Sequence, residues 1–319
     1  MVTREQVVQA YRLILGREPE NEEVIEHHIG THEDVDSLRM AMLQSAEFRQ
    51  AALASSWLLP MDECPRIDVE TAVAGERELR ALFERVAGSW NAFGASEPYW
   101  SVLTGEEFRM DRFEQNAQEY LGSGESDVTR LLAWLERNGV KPASLAMCLE
   151  YGCGTGRITR WLAGRFERVW ACDISEPHLK LAREYLAGAG SGNVELALVS
   201  GLASLDELPP ADLVFSVIVL QHNPPPLIAH VLRKLLDVLR PGGVAFFQVP
   251  TYARGYRFKV ADYLRSRPRT DRVEMHLLPQ RDVFSIAAAS GCETLEVLPD
   301  GCVGNPDWIS NTFLVRKRI

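Results

Sequence analysis

Residues 149–163 read LEYGCGTGRITRWLA. An apolar run ends in Glu150, glycines alternate at Gly152, Gly154 and Gly156, and a helix-forming stretch begins at once. A strand, tight turn and helix start of this kind lets the backbone take positive φ and brings a ligand against free N–H groups, which favour an anionic group. A dinucleotide loop wants a third glycine three residues beyond the second. Here that residue is Arg157, so the spacing is GxGxG. A second acid, Asp173, closes the next apolar run in VWACDIS, 21 residues beyond Gly152. A carboxylate at a strand's carboxyl end faces the crevice of an open α/β sheet and is placed to accept from both hydroxyls of a ribose. The plainer alternative is a helix-capping aspartate beside Ser175.

Working outward, apolar runs recur at 145–149, 169–172, 194–199, 213–220, 244–249, 294–298 and 312–315. Helical patterns fall near 126–138, 156–164, 176–187, 227–239 and 280–290. The alternation predicts an α/β domain, a doubly wound sheet of seven strands with helices on both faces. No internal repeat or low-complexity tract interrupts it.

Taken in order, LEYGCGTGR, CDIS, ADLVFSVIVLQHNP and LRPGG resemble a class I S-adenosylmethionine-dependent methyltransferase over residues 120–319. The resemblance implies a Rossmann-like sheet whose last two runs, TLEVL and TFLVRK, form a terminal antiparallel hairpin. It implies S-adenosyl-L-methionine as cofactor, with Gly152, Cys153, Gly154 and Gly156 wrapping its methionine and ribose portion. Glu150 would meet the methionine amino end and Asp173 the ribose hydroxyls. Ile174 would pack on the adenine, and Ser200, Gly201 and Leu202 would border the base. VSGLASL carries no acid where many members have one after the third strand, which leaves hydrogen bonding to the adenine amino group open. Val217 and Gln221 would pass beneath the sulfonium, and Tyr120 would touch the methionine portion or simply pack in the core.

Residues 3–50 read as a small all-α unit. Thr3 and Gln6 fit a capping box, Val7, Val8, Tyr11, Ile14 and Leu15 share a face, and Gly16 stops the helix. A second helix runs from Asn21 until Gly30, expected in the left-handed conformation, and Val35, Leu38, Met42 and Leu43 open a third. YRLILGREPENEEV and LRMAMLQSAEFR resemble a phycobilisome-linker-like helical domain of unknown function, found beside bacterial glycosyltransferases and methyltransferases. The expected organisation is a helical accessory domain at 1–58, a linker and aromatic-rich cap segment at 59–124, and the methyltransferase domain at 125–319. An insert at 251–279 is expected to cover the active site. RVAGSWNAFGASEPYWSVLT, with Trp90, Phe93, Tyr99 and Trp100, is either a packed loop or an aromatic wall over a pocket.

The chain has 319 residues, and 34 Lys and Arg against 44 Asp and Glu give a net charge of −10, which argues against nucleic acid as partner. No stretch approaches the ~18 uncharged apolar residues of a membrane span, and the start lacks a signal-peptide layout, so a cytoplasmic protein is expected. The six cysteines have no zinc-ligand spacing and read as reduced, mostly buried thiols.

Methyl transfer from a sulfonium is an in-line displacement, which needs alignment and, for a hydroxyl acceptor, a base. His222, in QHNPPP just past the fourth strand, is the first candidate, with capping or pocket shaping as its alternative. His276, in the insert, is the second, as base or substrate ligand. The remaining histidines, His178 among them, read as surface or helix-face residues. Arg254, Arg257, Lys259, Arg265, Arg267 and Arg269 make the insert locally basic, either a solvated loop or a surface for an anionic acceptor. No metal constellation is expected. The leading reading is O-methylation of a saccharide or other hydroxylated acceptor, with a protein partner for the N-terminal unit. Methylation of a small natural product or lipid, a nicotinamide oxidoreductase and a cofactor-binding adaptor without turnover stand as alternatives.

Overall fold

The computed structural model describes residues 2–45, 47–48, 66–267, 272–305 and 307–319. Cys64 and Arg269, and most of the expected linker between 49 and 65, lie outside the described residues. The chain divides into two compact units, Met1–Arg66 and Ile67–Ile319.

In the first unit, α1 (Arg4–Ala10) starts at Thr3, whose hydroxyl accepts from the Gln6 N–H while the Gln6 side chain accepts from the Thr3 N–H at 2.8 Å, completing the capping box. A π-helical turn over Tyr11–Leu15 extends it, and Gly16 ends it at φ 69°. Asn21 and Asp34 cap α2 (Glu22–Thr31) and α3 (Val35–Leu43). Helix α2 runs through Gly30 and closes on His32 in an extended conformation. The expected left-handed stop at Gly30 is therefore corrected: the His32 N–H reaches back to the His28 carbonyl, so no positive φ is required there. Val7 and Leu38 are fully buried at the centre of this bundle with Ile25 and Met42.

The second unit is built on β1 (Met147–Tyr151), β2 (Arg168–Asp173), β3 (Val194–Leu198), β4 (Ala211–Ser216), β5 (Leu239–Ala253), β6 (Cys292–Asp300) and β7 (Trp308–Lys317). Its seven-stranded order is β3-β2-β1-β4-β5-β7-β6. The first five strands are parallel and β7 pairs antiparallel with both β5 and β6. This is the doubly wound Rossmann-like sheet with a terminal antiparallel hairpin.

Central β1 is buried on both faces, and its alternation splits the core. Cys148 lies beneath α5 (Phe113–Arg137), α6 (Thr159–Ala163) and α7 (Glu176–Gly188) through Leu131, Leu162 and Leu179. Leu149 and Tyr151 face the layer of α4 (Glu76–Ser96), α8 (Pro225–Asp237) and α10 (Gln280–Ala289) through Phe83, Leu232 and Val283. The strand order reverses between the parallel neighbours β1 and β4, and the crevice beyond their carboxyl ends is where such sheets bind ligands.

Two expectations need correction here. RVAGSWNAFGAS is not loop but the C-terminal half of the 21-residue helix α4, because Leu79, Leu82, Phe83, Val86 and Phe93 recur at helical spacing and bury against the sheet. The helix before β1 begins at Phe113, well upstream of the expected 126. Both helices belong to the second unit. The insert after β5 is anchored to α4: Arg85 donates to the backbone carbonyls of Tyr263, Ser266 and Arg267, and its guanidinium stacks 3.9 Å from the Tyr263 ring centroid. No helix among the described residues is long and apolar enough to cross a membrane.

Candidate active site

A cleft of about 750 Å³ opens at the carboxyl ends of β1, β2 and β4. It gathers Glu150, Gly152, Cys153, Gly154, Asp173, Ile174, Val217 and His222 from the sequence expectations. Gly152 stands at φ 82° and Gly154 at φ 53°, and a Cβ on Gly152 would sit 2.4 Å from Val219, so only glycine permits this close approach.

The Asp173 carboxylate is positioned by the turn itself. Its Oδ2 accepts from the Gly154 N–H at 2.8 Å and its Oδ1 from the Ser175 N–H at 2.9 Å. Each oxygen keeps a second lone pair for a donor in the cleft. The capping alternative is thus partly right, since Asp173 does hold the start of α7 and faces the cleft as well.

Glu150 is buried, and its Oε2 has no hydrogen-bond partner. Burial pushes this carboxyl up to about 7, with Thr159 and the Arg157 guanidinium pulling the other way. Arg157 lines the same cleft, pairs with Asp127 at 2.9 Å, and leaves its buried Nε unpartnered. Orphaned buried polar atoms of native folds call for a partner. A cleft with an orphaned carboxylate oxygen, an orphaned guanidinium N–H, a glycine-lined floor and an oriented aspartate fits the amino-acid end and the ribose of S-adenosylmethionine.

His222 closes the far end. Its Nδ1–H donates to the Glu274 carbonyl at 3.0 Å, and because a carbonyl only accepts, Nε2 is the nitrogen that keeps its lone pair. Burial pushes the imidazole down to about 4, the Glu274 hydrogen bond opposes this, and His276 adds to the fall. Trp90 flanks it with ring centroids 5.2 Å apart.

The other expected residues lie outside the cleft lining. Tyr120 is fully buried, and its hydroxyl bonds the Thr155 hydroxyl at 2.9 Å, the packing alternative. Gly156, at φ 82°, turns the chain against Ala182 and Leu186. Ser200 bonds Ser204 at an exposed site, Gly201 precedes a short helical turn, and Leu202 packs on the core. Gln221 is buried one residue from His222. His276 sits among Tyr256, Phe258 and Tyr263, its Nδ1 2.8 Å from the Tyr256 hydroxyl, and supports the insert instead of facing the cleft.

The insert's basic residues are partly neutralised: Lys259 pairs with Asp68 at 2.9 Å and Arg265 with Asp262 at 2.7 Å. His178, expected on the surface, is buried in the cleft wall, bonded to Ser175, Ser101 and Pro98. Trp90 realises the aromatic-wall reading. Arg157 was legible as the residue that breaks the dinucleotide spacing, and Ile218 falls in the 217–222 segment expected beneath the sulfonium, whereas Ser101 and Asn223 carried no local signal.

Comparisons with known proteins agree with this geometry. A family model described as a methyltransferase domain matches residues 148–243. The ubiquinone biosynthesis O-methyltransferase of Thiobacillus denitrificans is 30% identical over 180 residues, covering 55% of this chain and 75% of that protein. Its namesake from Paracidovorax citrulli is 30% identical over 117 residues, 36% of this chain and 48% of that protein. Among solved structures, magnesium protoporphyrin IX methyltransferase from Synechocystis, with S-adenosylhomocysteine bound, aligns with a TM-score of 0.52 at 17% identity, over 74% of this chain and 99% of that one. The Burkholderia thailandensis 1,6-didemethyltoxoflavin-N1-methyltransferase aligns at 0.51 and 16% identity, over 79% and 94%. The sheet order with its terminal hairpin, the glycine loop, the oriented aspartate and these relatives place the chain among the class I S-adenosylmethionine-dependent methyltransferases, as an enzyme that takes S-adenosylmethionine as its cofactor.

Proposed function

We propose that the protein transfers the methyl group to a hydroxyl of a compact ring-shaped acceptor, saccharide rings included, with His222 as general base. One observation carries the reading: a second cavity of about 280 Å³ adjoins the cofactor cleft, and the two linings share Trp90 and His222. The base therefore stands where cofactor and acceptor spaces meet. This cavity is smaller than the cofactor cleft, so a small acceptor is favoured. Val86, Trp90 and Phe93 offer it an apolar wall and Ser89 and Glu274 polar groups. Relatives named as O-methyltransferases support oxygen as the methylated atom.

S-adenosylmethionine supplies an electrophilic methyl on a sulfonium. Glu150 and Arg157 hold its ammonium and carboxylate, Asp173 its ribose hydroxyls, and Ile174 its adenine. His222 Nε2 would take the acceptor's hydroxyl proton, and the Nδ1–H bond to Glu274 would steady the imidazolium so formed. Trp90 and the insert keep water from the reacting atoms. The test is S-adenosylhomocysteine release across a panel of monosaccharides, hydroxylated aromatic rings and matched amines. Turnover with hydroxyl acceptors that His222→Gln abolishes supports the reading. Turnover confined to amines overturns it.

A further inference from the structure

Strand β4 leaves the sheet through Ile218, whose φ of 59° makes it the one non-glycine residue of positive φ among those described. A β-branched side chain in that region is strained and persists only where the surroundings over-determine it. Gln248, in the middle of β5 and fully buried, supplies the determinant. Its Oε1 accepts from the Ile218 N–H at 3.0 Å, and its Nε2 donates to the Gln221 Oε1 at 2.9 Å and to the Ser310 Oγ at 2.7 Å. Both amide hydrogens and the oxygen are engaged, so the Gln248 amide has one orientation.

That orientation propagates. With Gln221 Oε1 taken by Gln248, the Gln221 Nε2 is the end turned to His222, where it donates to the imidazole Nε2 at 3.3 Å, a long bond that an acceptor hydroxyl displaces before Nε2 takes its proton. The same nitrogen is kept proton-free because the Nδ1–H is committed to the Glu274 carbonyl. Were Gln221 reversed, its oxygen would face the imidazole Nε2 and favour a proton there.

We infer that Gln248 is a positioning residue for methyl transfer: through Gln221 it holds His222 with Nε2 unprotonated, and through Ile218 it fixes the cleft wall beside it. This rests on the assignment of His222 as base, but its test needs no acceptor.

The full-length chain, labelled with ¹⁵N and saturated with S-adenosylhomocysteine, reports the His222 tautomer by long-range ¹H–¹⁵N correlation at neutral pH, the signal being assigned by its loss in His222→Gln. The wild type is expected to show a protonated Nδ1 and an unprotonated Nε2. Gln248→Glu retains an acceptor for the Ile218 N–H but has no donor for Gln221. The Gln221 amide then reverses, and the fraction of His222 protonated on Nε2 rises above that of the wild type, against the Glu274 carbonyl that still favours Nδ1–H. Affinity for S-adenosylhomocysteine changes by less than about threefold, a difference of under one kcal/mol. Gln248→Leu gives the same protonation together with a looser Ile218, and adding Ile218→Gly restores the cofactor affinity but not the tautomer. Should Gln248→Leu not fold, Gln248→Glu carries the test alone. An Nε2-protonated fraction of His222 no higher than that of the wild type, in whichever of these variants folds, overturns the proposal, as does the same protonation shift in Ser310→Ala, which leaves Gln221 held. Failure of the base assignment is a separate result, unchanged turnover in His222→Gln, and does not alter these spectra.

Discussion

The His222 imidazole donates to the backbone carbonyl of Glu274 across 52 residues of chain, at 3.0 Å. The insert thus orients the candidate base together with the neighbouring Gln221. Replacing His222 with Gln is expected to lower kcat by about 10²–10⁴, the usual contribution of a positioned general base. Calorimetric affinity for S-adenosylhomocysteine should stay within about threefold. Since the imidazole sits at about 4, the acid limb of the pH–rate profile should fall well below the ordinary histidine range. A limb near the ordinary value would mean another group titrates.

Asp173 links the glycine loop to α7 and faces the cleft. Asp173→Ala is expected to weaken S-adenosylhomocysteine about 100-fold, the ~2.7 kcal/mol of lost charged hydrogen bonds. Asp173→Asn, which keeps one acceptor oxygen, should lose less. Equal losses in the two would show that charge alone matters.

Glu150 gives a pH signature. Its carboxyl stands at about 7 in the fold and at about 4.3 in an unfolded chain. The folded chain therefore binds more protons between those values, and this group's contribution to stability declines as pH rises through that window. Glu150→Gln should gain in Tm relative to wild type between pH about 5 and 8, on the order of 3 kcal/mol at full ionisation. In the same range the wild type should bind S-adenosylhomocysteine more tightly as pH rises, because the ionised carboxylate receives the ligand's ammonium, and the variant should show a flat profile. Parallel pH curves for the two proteins would refute both expectations.

Arg85 ties α4 to the insert through three backbone carbonyls, the Tyr263 ring and Glu274 at 3.5 Å. Arg85→Met should cost roughly 2–3 kcal/mol in urea unfolding, since Glu274 and the carbonyls lose their donor. Proteolysis should begin in the insert. A variant as stable and as protease-resistant as wild type would show that the insert is held by other contacts.

The three-helix unit has its own core at Val7, Leu38 and Met42, and the residues lining the cleft lie in the second unit. Removing residues 1–66 is expected to leave S-adenosylhomocysteine affinity within about threefold. A larger loss would assign the unit a part in building the site.

The sequence by itself determined the α/β class, the seven strands and the glycine loop, and the family resemblance supplied the terminal hairpin. The first three rest on local signals: short apolar runs alternating with helical patterning, glycines where φ is positive at Gly152 and Gly154, and acids at the carboxyl ends of strands at Glu150 and Asp173. Residues whose roles come from distant packing were not legible. Trp90 reaches the cleft from α4 and His178 from the first turn of α7, and aromatic density alone suited a loop as well as a helix. His276 stood in sequence as the second candidate base after His222. Tertiary structure separated them, because the insert folds His276 into an aromatic cluster while using the Glu274 carbonyl to aim His222. The Gln248 network is the extreme case: an uncharged glutamine in a buried strand has no pattern to betray it. Its hydrogen bonds join positions 218, 221 and 310, which only the sheet's strand order brings together.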